Sequence, residues 1–233
     1  MRKRRVFLIL LGAVLAGELV AVFRREREPE YGGRKLSEWV MAYSRSSTLN
    51  PSRENHEAAE AIRQIGSNAL PYLLNWMRYE APLWKTKVLD FANVALPVKW
   101  HVIDQREMRL YASIRAFHAL GPAASDAIPT LNEMMIGRIS IEDPCFAVEA
   151  LGNLGSTGLR QLQVVLTNRE KWVVAPRPYI VYVLARQGTN ARSALPALQF
   201  LLTDSDPIMR NGASNAIRAI DAETLEDAGR KRE

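Results

Sequence analysis

Four glycines, Gly66, Gly121, Gly155 and Gly188, each close a run of apolar residues, and Asp221 takes the equivalent place in a fifth run. The intervals between them are 55, 34, 33 and 33 residues. Self-similarity at such a period marks a chain built from stacked units, here with one insertion in the first. Aligned on those positions, the residue five before is Ala61, Ala116, Ala150, Val183 and Ala216. Four before stand Ile62, Phe117, Leu151, Leu184 and Ile217. The last position is Ile65, Leu120, Leu154, Gln187 and Ile220, with Gln187 alone out of pattern. The pattern predicts an amphipathic helix with a small residue on one face, so that a neighbour approaches closely, ended by a glycine in a left-handed cap.

A second helix is predicted in each unit. Ala69-Leu70-Pro71-x-Leu73, Ala127-Ile128-Pro129-x-Leu131 and Ala194-Leu195-Pro196-x-Leu198 share A-h-P-x-L, and Gly158-Leu159-Arg160-x-Leu162 is the same element without its proline. Proline in the first turn gives up an amide that has no intrahelical partner there. Asp143-Pro144 and Asp206-Pro207 read as the N-cap and first helical residue of two first helices. A pair of helices this short cannot bury both of its faces, so successive pairs must stack. The fold class expected is all-α.

The combination A-x-x-A-h-x-x-L-G, then A-h-P-x-L, resembles HEAT repeats of the short bacterial type over residues 54–222. Asp206-Pro-Ile-Met-Arg210 is similar to the Asp and Val-Arg pattern that opens their first helices. The resemblance implies a right-handed α-solenoid of about five helix pairs, with an insertion at 78–105, and a curved, non-catalytic protein-binding surface lined by the second helices. Asn75, Arg78, Asn132, Glu133, Gln161, Gln163 and Gln199 are the candidate exposed positions there. The segment from Tyr31 to Trp39 also resembles a Y-x-G-K/R-x-L-S-x-W-L stretch that precedes HEAT repeats in membrane-anchored proteins of planctomycete and verrucomicrobial bacteria. No activity is implied by that match.

The sequence has 233 residues, and 48% apolar with 24% charged side chains excludes a disordered chain. Its formal net charge of +6 raises nucleic acid or an anionic membrane as partners. Residues 1–30 carry a net +3 and Arg230 to Glu233 a net +2, which leaves the body near neutrality and removes the reason to expect nucleic acid. The N-terminal charge belongs to Arg2, Lys3, Arg4 and Arg5, which precede Val6 to Phe23, eighteen positions with only Gly12, Gly17 and Glu18 not apolar. As a helix this stretch measures about 27 Å, enough to cross a hydrocarbon core. A signal peptide cut after Ala16 is the competing reading; the apolar run continues past that point to Phe23 and favours an uncleaved anchor. Glu18 is placed near Arg24 and Arg25, within reach of the interface. The basic cluster at the start orients the N-terminus inwards, which predicts a single-pass protein of a bacterial inner membrane with its repeat domain in the periplasm. Residues 24–53 read as a linker with a short amphipathic helix from Leu36, and 223–233 as a polar tail.

Chemistry is sparse. Cys145 is the single cysteine, which excludes disulfides and multi-cysteine metal sites, and it reads as a small packed residue. Of three histidines only His56 is followed by an acid, Glu57, whereas the HEAT-like di-iron hydroxylases need several His-Glu pairs; no metal is expected, and His56 reads as a surface residue at a helix start. Phosphate loops, dinucleotide fingerprints and nucleophile elbows are absent, so no cofactor is expected. Trp76, Trp84 and Trp100 fall in or beside the insertion. Trp84 and Trp100 serve there either as partner-binding anchors or as a cover for the first unit. The function expected is a membrane-anchored scaffold that binds a protein partner without catalysis, with Trp84, Trp100, Arg78, Asn132, Gln163 and Gln199 as candidate contacts. The alternative is a lyase-type enzyme or enzyme-accessory protein holding a small ligand in the concave groove.

Overall fold

The computed structural model describes residues 28–45, 53–80, 83–95, 104–168 and 176–230. They are predominantly helical, and the fold is all-α apart from one two-stranded ladder. In it β1 (Glu30–Tyr31) pairs antiparallel with β2 (Arg34–Lys35). The helices are α1 (Leu36–Arg45), α2 (Arg53–Ile65), α3 (Leu70–Met77), α4 (Leu83–Ala95), α5 (Gln105–Leu120) and α6 (Ile128–Met135). They continue with α7 (Pro144–Gly152), α8 (Ser156–Thr167), α9 (Arg177–Arg186), α10 (Leu195–Leu201) and α11 (Pro207–Arg230).

The repeat positions behave as their spacing requires. Ala61, Ala116, Ala150, Val183 and Ala216 are all buried, as are Ile62, Phe117, Leu151 and Leu184 one place on. Each of these large side chains gains about 1.5–3 kcal/mol on leaving water. First helices pack on first helices in chain order, α2 on α5, α5 on α7, α7 on α9 and α9 on α11. The second helices α3, α6 and α10 also pack on the first helix that follows each of them. Val183 is the one large residue in an otherwise alanine row. Across from it stands Gly152, where a Cβ would lie 2.5 Å from Val183 Cγ1. Bulk added on α9 is thus matched by a missing side chain on α7.

The helix-ending glycines differ from the expected cap in one respect. Gly66, Gly121, Gly155 and Gly188 all have positive φ, yet ψ is −136° at Gly121 and −150° at Gly155. That is the mirror image of extended backbone rather than the left-handed helix, a region open to glycine alone. After the glycine the chain runs through a 3₁₀ segment at Gly66–Ala69, Gly121–Ala127 and Gly188–Ala194, and from there into the proline-bearing second helix. The third unit goes straight from Gly155 into α8. Gly158 replaces the alanine of the other units because a Cβ there would overlap the Leu151 carbonyl oxygen at the end of α7.

Asp221 corrects the expectation of a fifth pair. With no glycine to supply positive φ, α11 runs through Asp221 to Arg230 as one helix, taking in most of the residues read as a polar tail. Four helix pairs and this last long helix make up the repeat among the described residues.

At the other end, the segment from Tyr31 to Trp39 is compact rather than a loose linker. Trp39 Nε1 donates to the Tyr31 carbonyl at 2.9 Å, and the Arg34 guanidinium lies 4.0 Å above the Trp39 ring. α1 then buries Leu36, Trp39, Val40, Ala42 and Tyr43, and packs on both α2 and α5. α1 therefore bridges the first helices of the first two pairs. No helix among the described residues is long and apolar enough to cross a membrane, and residues 6–23, where the anchor is expected, lie outside them.

Candidate functional site: an amide-lined groove between second helices

The leucines of A-h-P-x-L, Leu73, Leu131, Leu162 and Leu198, are fully buried and set the register of each second helix. The residue after each leucine is therefore equivalent from unit to unit: Leu74, then Asn132, Gln163 and Gln199. Three successive units place a side-chain amide at the same point of the repeat. The amides also join the units. Asn132 Nδ2 donates to Gln161 Oε1 at 3.1 Å, from α6 to α8, and Gln163 Nε2 donates to Ser193 Oγ at 2.9 Å, from α8 to the turn before α10. Next to this row, Val164 and Phe200 stand exposed on α8 and α10.

Between α6 and α8 lies a cavity of about 300 Å³, lined by Thr130, Asn132 and Glu133 of α6, by Ile136 just beyond it, and by Gln161 and Val165 of α8. Asn132 Oδ1 is buried there without a hydrogen-bond partner. Leaving an acceptor unsatisfied in this way costs about 1–3 kcal/mol. Glu133 is paired with Arg138 at 3.4 Å on the exposed rim. The lining holds two amides, one hydroxyl and one paired carboxylate, with no cysteine, serine, lysine or histidine among them. Such a set can exchange hydrogen bonds with a bound group.

The other candidates are dispersed. Arg78 is exposed at the C-cap of α3 and Asn75 is exposed on the same helix. Trp84 belongs to α4, and Trp100 lies outside the described residues. Gln199 is exposed one unit beyond the groove. The sequence places Asn132 and Gln161 among the exposed positions of the second helices, but nothing in it pairs the two across a groove. The signal for the amide row was present: Asn132, Gln163 and Gln199 share one offset from the motif leucine.

On the first helices a second polar cluster forms around Glu149. It accepts from Tyr179 Oη at 3.1 Å and pairs with Arg186, so that α7 and α9 are linked. Burial, and then the Glu149 carboxylate, push the Tyr179 phenol up to about 12. Burial together with Asp143 pushes the Cys145 thiol up to about 12, which leaves it protonated and unreactive at neutral pH. Cys145 is half-buried, in keeping with a packed small residue, and His56 is exposed in the first turn of α2. Among the described residues, no three His, Cys, Asp or Glu side chains converge as a metal would require.

The fold and groove define a class, an all-α protein of paired helices with an amide-lined recess on its second helices. The chain matches no protein-family model and no curated protein.

Proposed function

We propose that this protein is a HEAT-like α-solenoid, held in a bacterial inner membrane by residues 6–23 with its body in the periplasm, that acts as a non-catalytic scaffold for a protein partner. The observation that carries the reading is the buried, unpartnered Asn132 Oδ1 in the α6–α8 groove. A partner's main-chain N–H offers the donor that this acceptor lacks, and Val164 and Phe200 offer apolar contact beside it. Support for the solenoid comes from the chain-order packing of first helices and from the repeated turn glycines.

Asn132→Leu tests the site. The variant loses the orphaned acceptor and also the Asn132–Gln161 hydrogen bond, two opposed effects, so stability in urea unfolding is expected to stay within about 1 kcal/mol while partner retention falls about tenfold. A photo-crosslinker at Gln161 should give a discrete protein adduct in mild detergent, and one at Tyr182 on α9 should give none. Equal labelling from both positions, or unchanged retention by the leucine variant, would remove the groove from consideration.

A further inference from the structure

α4 is turned the wrong way round for a packed helix. Its half-buried residues Thr86, Leu89 and Asn93 are spaced by three and four and so form one stripe, two-thirds of it polar. Leu83, Val88, Phe91 and Val94 are instead 79, 58, 80 and 88% exposed. On a helix of 3.6 residues per turn these four spread over about 140° of the surface. Lys87 lies within that arc and is exposed, and among the described residues α4 makes no extensive contact with any other helix. The residues that flank the insertion are nevertheless tied to the body. Tyr79 Oη donates to Asp104 Oδ2 at 2.6 Å and Ser140 Oγ to Glu80 Oε1 at 2.5 Å, so the insertion leaves and rejoins the body at one place.

We infer that α4 docks on a lipid bilayer, with Leu83, Val88, Phe91 and Val94 at the boundary of headgroups and acyl chains and Lys87 at headgroup level. The inference rests on the membrane-anchored reading above. Position selects lipid as the occupant. In chain order α4 follows α3, the second helix of the first pair, and precedes α5. Residue 28, the first described, is at most about 18 Å of extended chain from Phe23, where the apolar stretch ends. With residues 6–23 in the bilayer, the first pair is the part of the body tethered most closely to it. Composition agrees: Trp84, Trp100, Lys85, Lys87 and Lys99 are the residue types that concentrate at membrane interfaces, and all lie in the insertion.

The test uses the full chain reconstituted in vesicles of phosphatidylcholine and phosphatidylglycerol at roughly 3:1. Phe91→Cys in a Cys145→Ser background carries an environment-sensitive fluorophore, and Asn93→Cys in the same background is the control on the half-buried stripe. The label at 91 should emit to the blue and be quenched by acyl-brominated lipid roughly threefold more than the label at 93. Water-like emission at 91 without quenching overturns the proposal. A blue shift without lipid quenching also overturns it, and loss of that shift on dilution with excess lipid would assign the face to a second copy. Carbonate extraction of the same vesicles reads the anchor separately. Protein retained but unquenched keeps the anchor and loses the docking, and protein released yet quenched at 91 does the reverse.

Discussion

At Gly158 the backbones of two helices meet, and the geometry overrules helix propensity. Alanine in a helix interior is ordinarily favoured over glycine by about 1 kcal/mol. Here a Cβ would overlap a carbonyl oxygen that cannot turn aside, so Gly158→Ala is expected to destabilise by about 3 kcal/mol. Gly152→Ala meets only the end of Val183, and about 1–2 kcal/mol is expected. Urea unfolding checks the order of the two. Cys145 gives a second outcome. At pH 8 an ordinary thiol is about one-quarter ionised, whereas one raised to about 12 is ionised to about one part in ten thousand. Alkylation of the folded protein should therefore run about a thousandfold slower than in denaturant. The folded pKa lies above the unfolded one, so the stabilisation is fully present below about pH 8.5 and is lost as pH rises towards 12. The unreactive thiol was legible only in part, since Asp143 was visible as a cap but its proximity to sulfur was not.

Helix starts were the most readable elements. Asp143 Oδ1 accepts from Cys145 N at 2.8 Å and Asp206 Oδ1 from Ile208 N at 2.8 Å, as the Asp-Pro pairs predict. Asp206→Ala should cost about 1 kcal/mol in thermal or urea unfolding. Arg210 adds a clasp of its own, donating to the carbonyls of Asp204 at 2.7 Å and Ser205 at 2.9 Å, which gives the Asp and Arg of that motif one shared structural task. Asp104 caps α5 in the same way, donated to by Arg106 N at 3.0 Å, and went unread because no proline follows it. α1 was legible as an amphipathic piece from Leu36. Its seat across α2 and α5 was not, because which of two apolar segments reaches that flank depends on the path of the chain between them. The end of the repeat was misread for a simpler reason: aspartate fills the alignment at position 221 but cannot adopt the turn.

For the whole molecule, each first helix leans on the one before and the one after, and protection should grade accordingly. Native-state hydrogen exchange is expected to be slowest in α5, α7 and α9, faster in α11, and fastest in α4. Equal protection of α4 and α7 would contradict that gradient. All-α architecture was readable from periodicity because local spacing decides which faces are buried. The groove was not, because the link between Asn132 and Gln161 joins helices of two different units, and no local rule brings them together.

The bond between Tyr79 and Asp104 has a consequence for how such a chain can change. It closes the insertion at its base, so the stretch between them enters and leaves through one doorway. Lengthening, shortening or exchanging that stretch leaves the seating of α3 against α5 untouched, and with it the register of every later unit. The first interval of 55 in a chain otherwise paced at 33 or 34 is then an appendage grown at a seam, free to diverge while the repeat behind it keeps time.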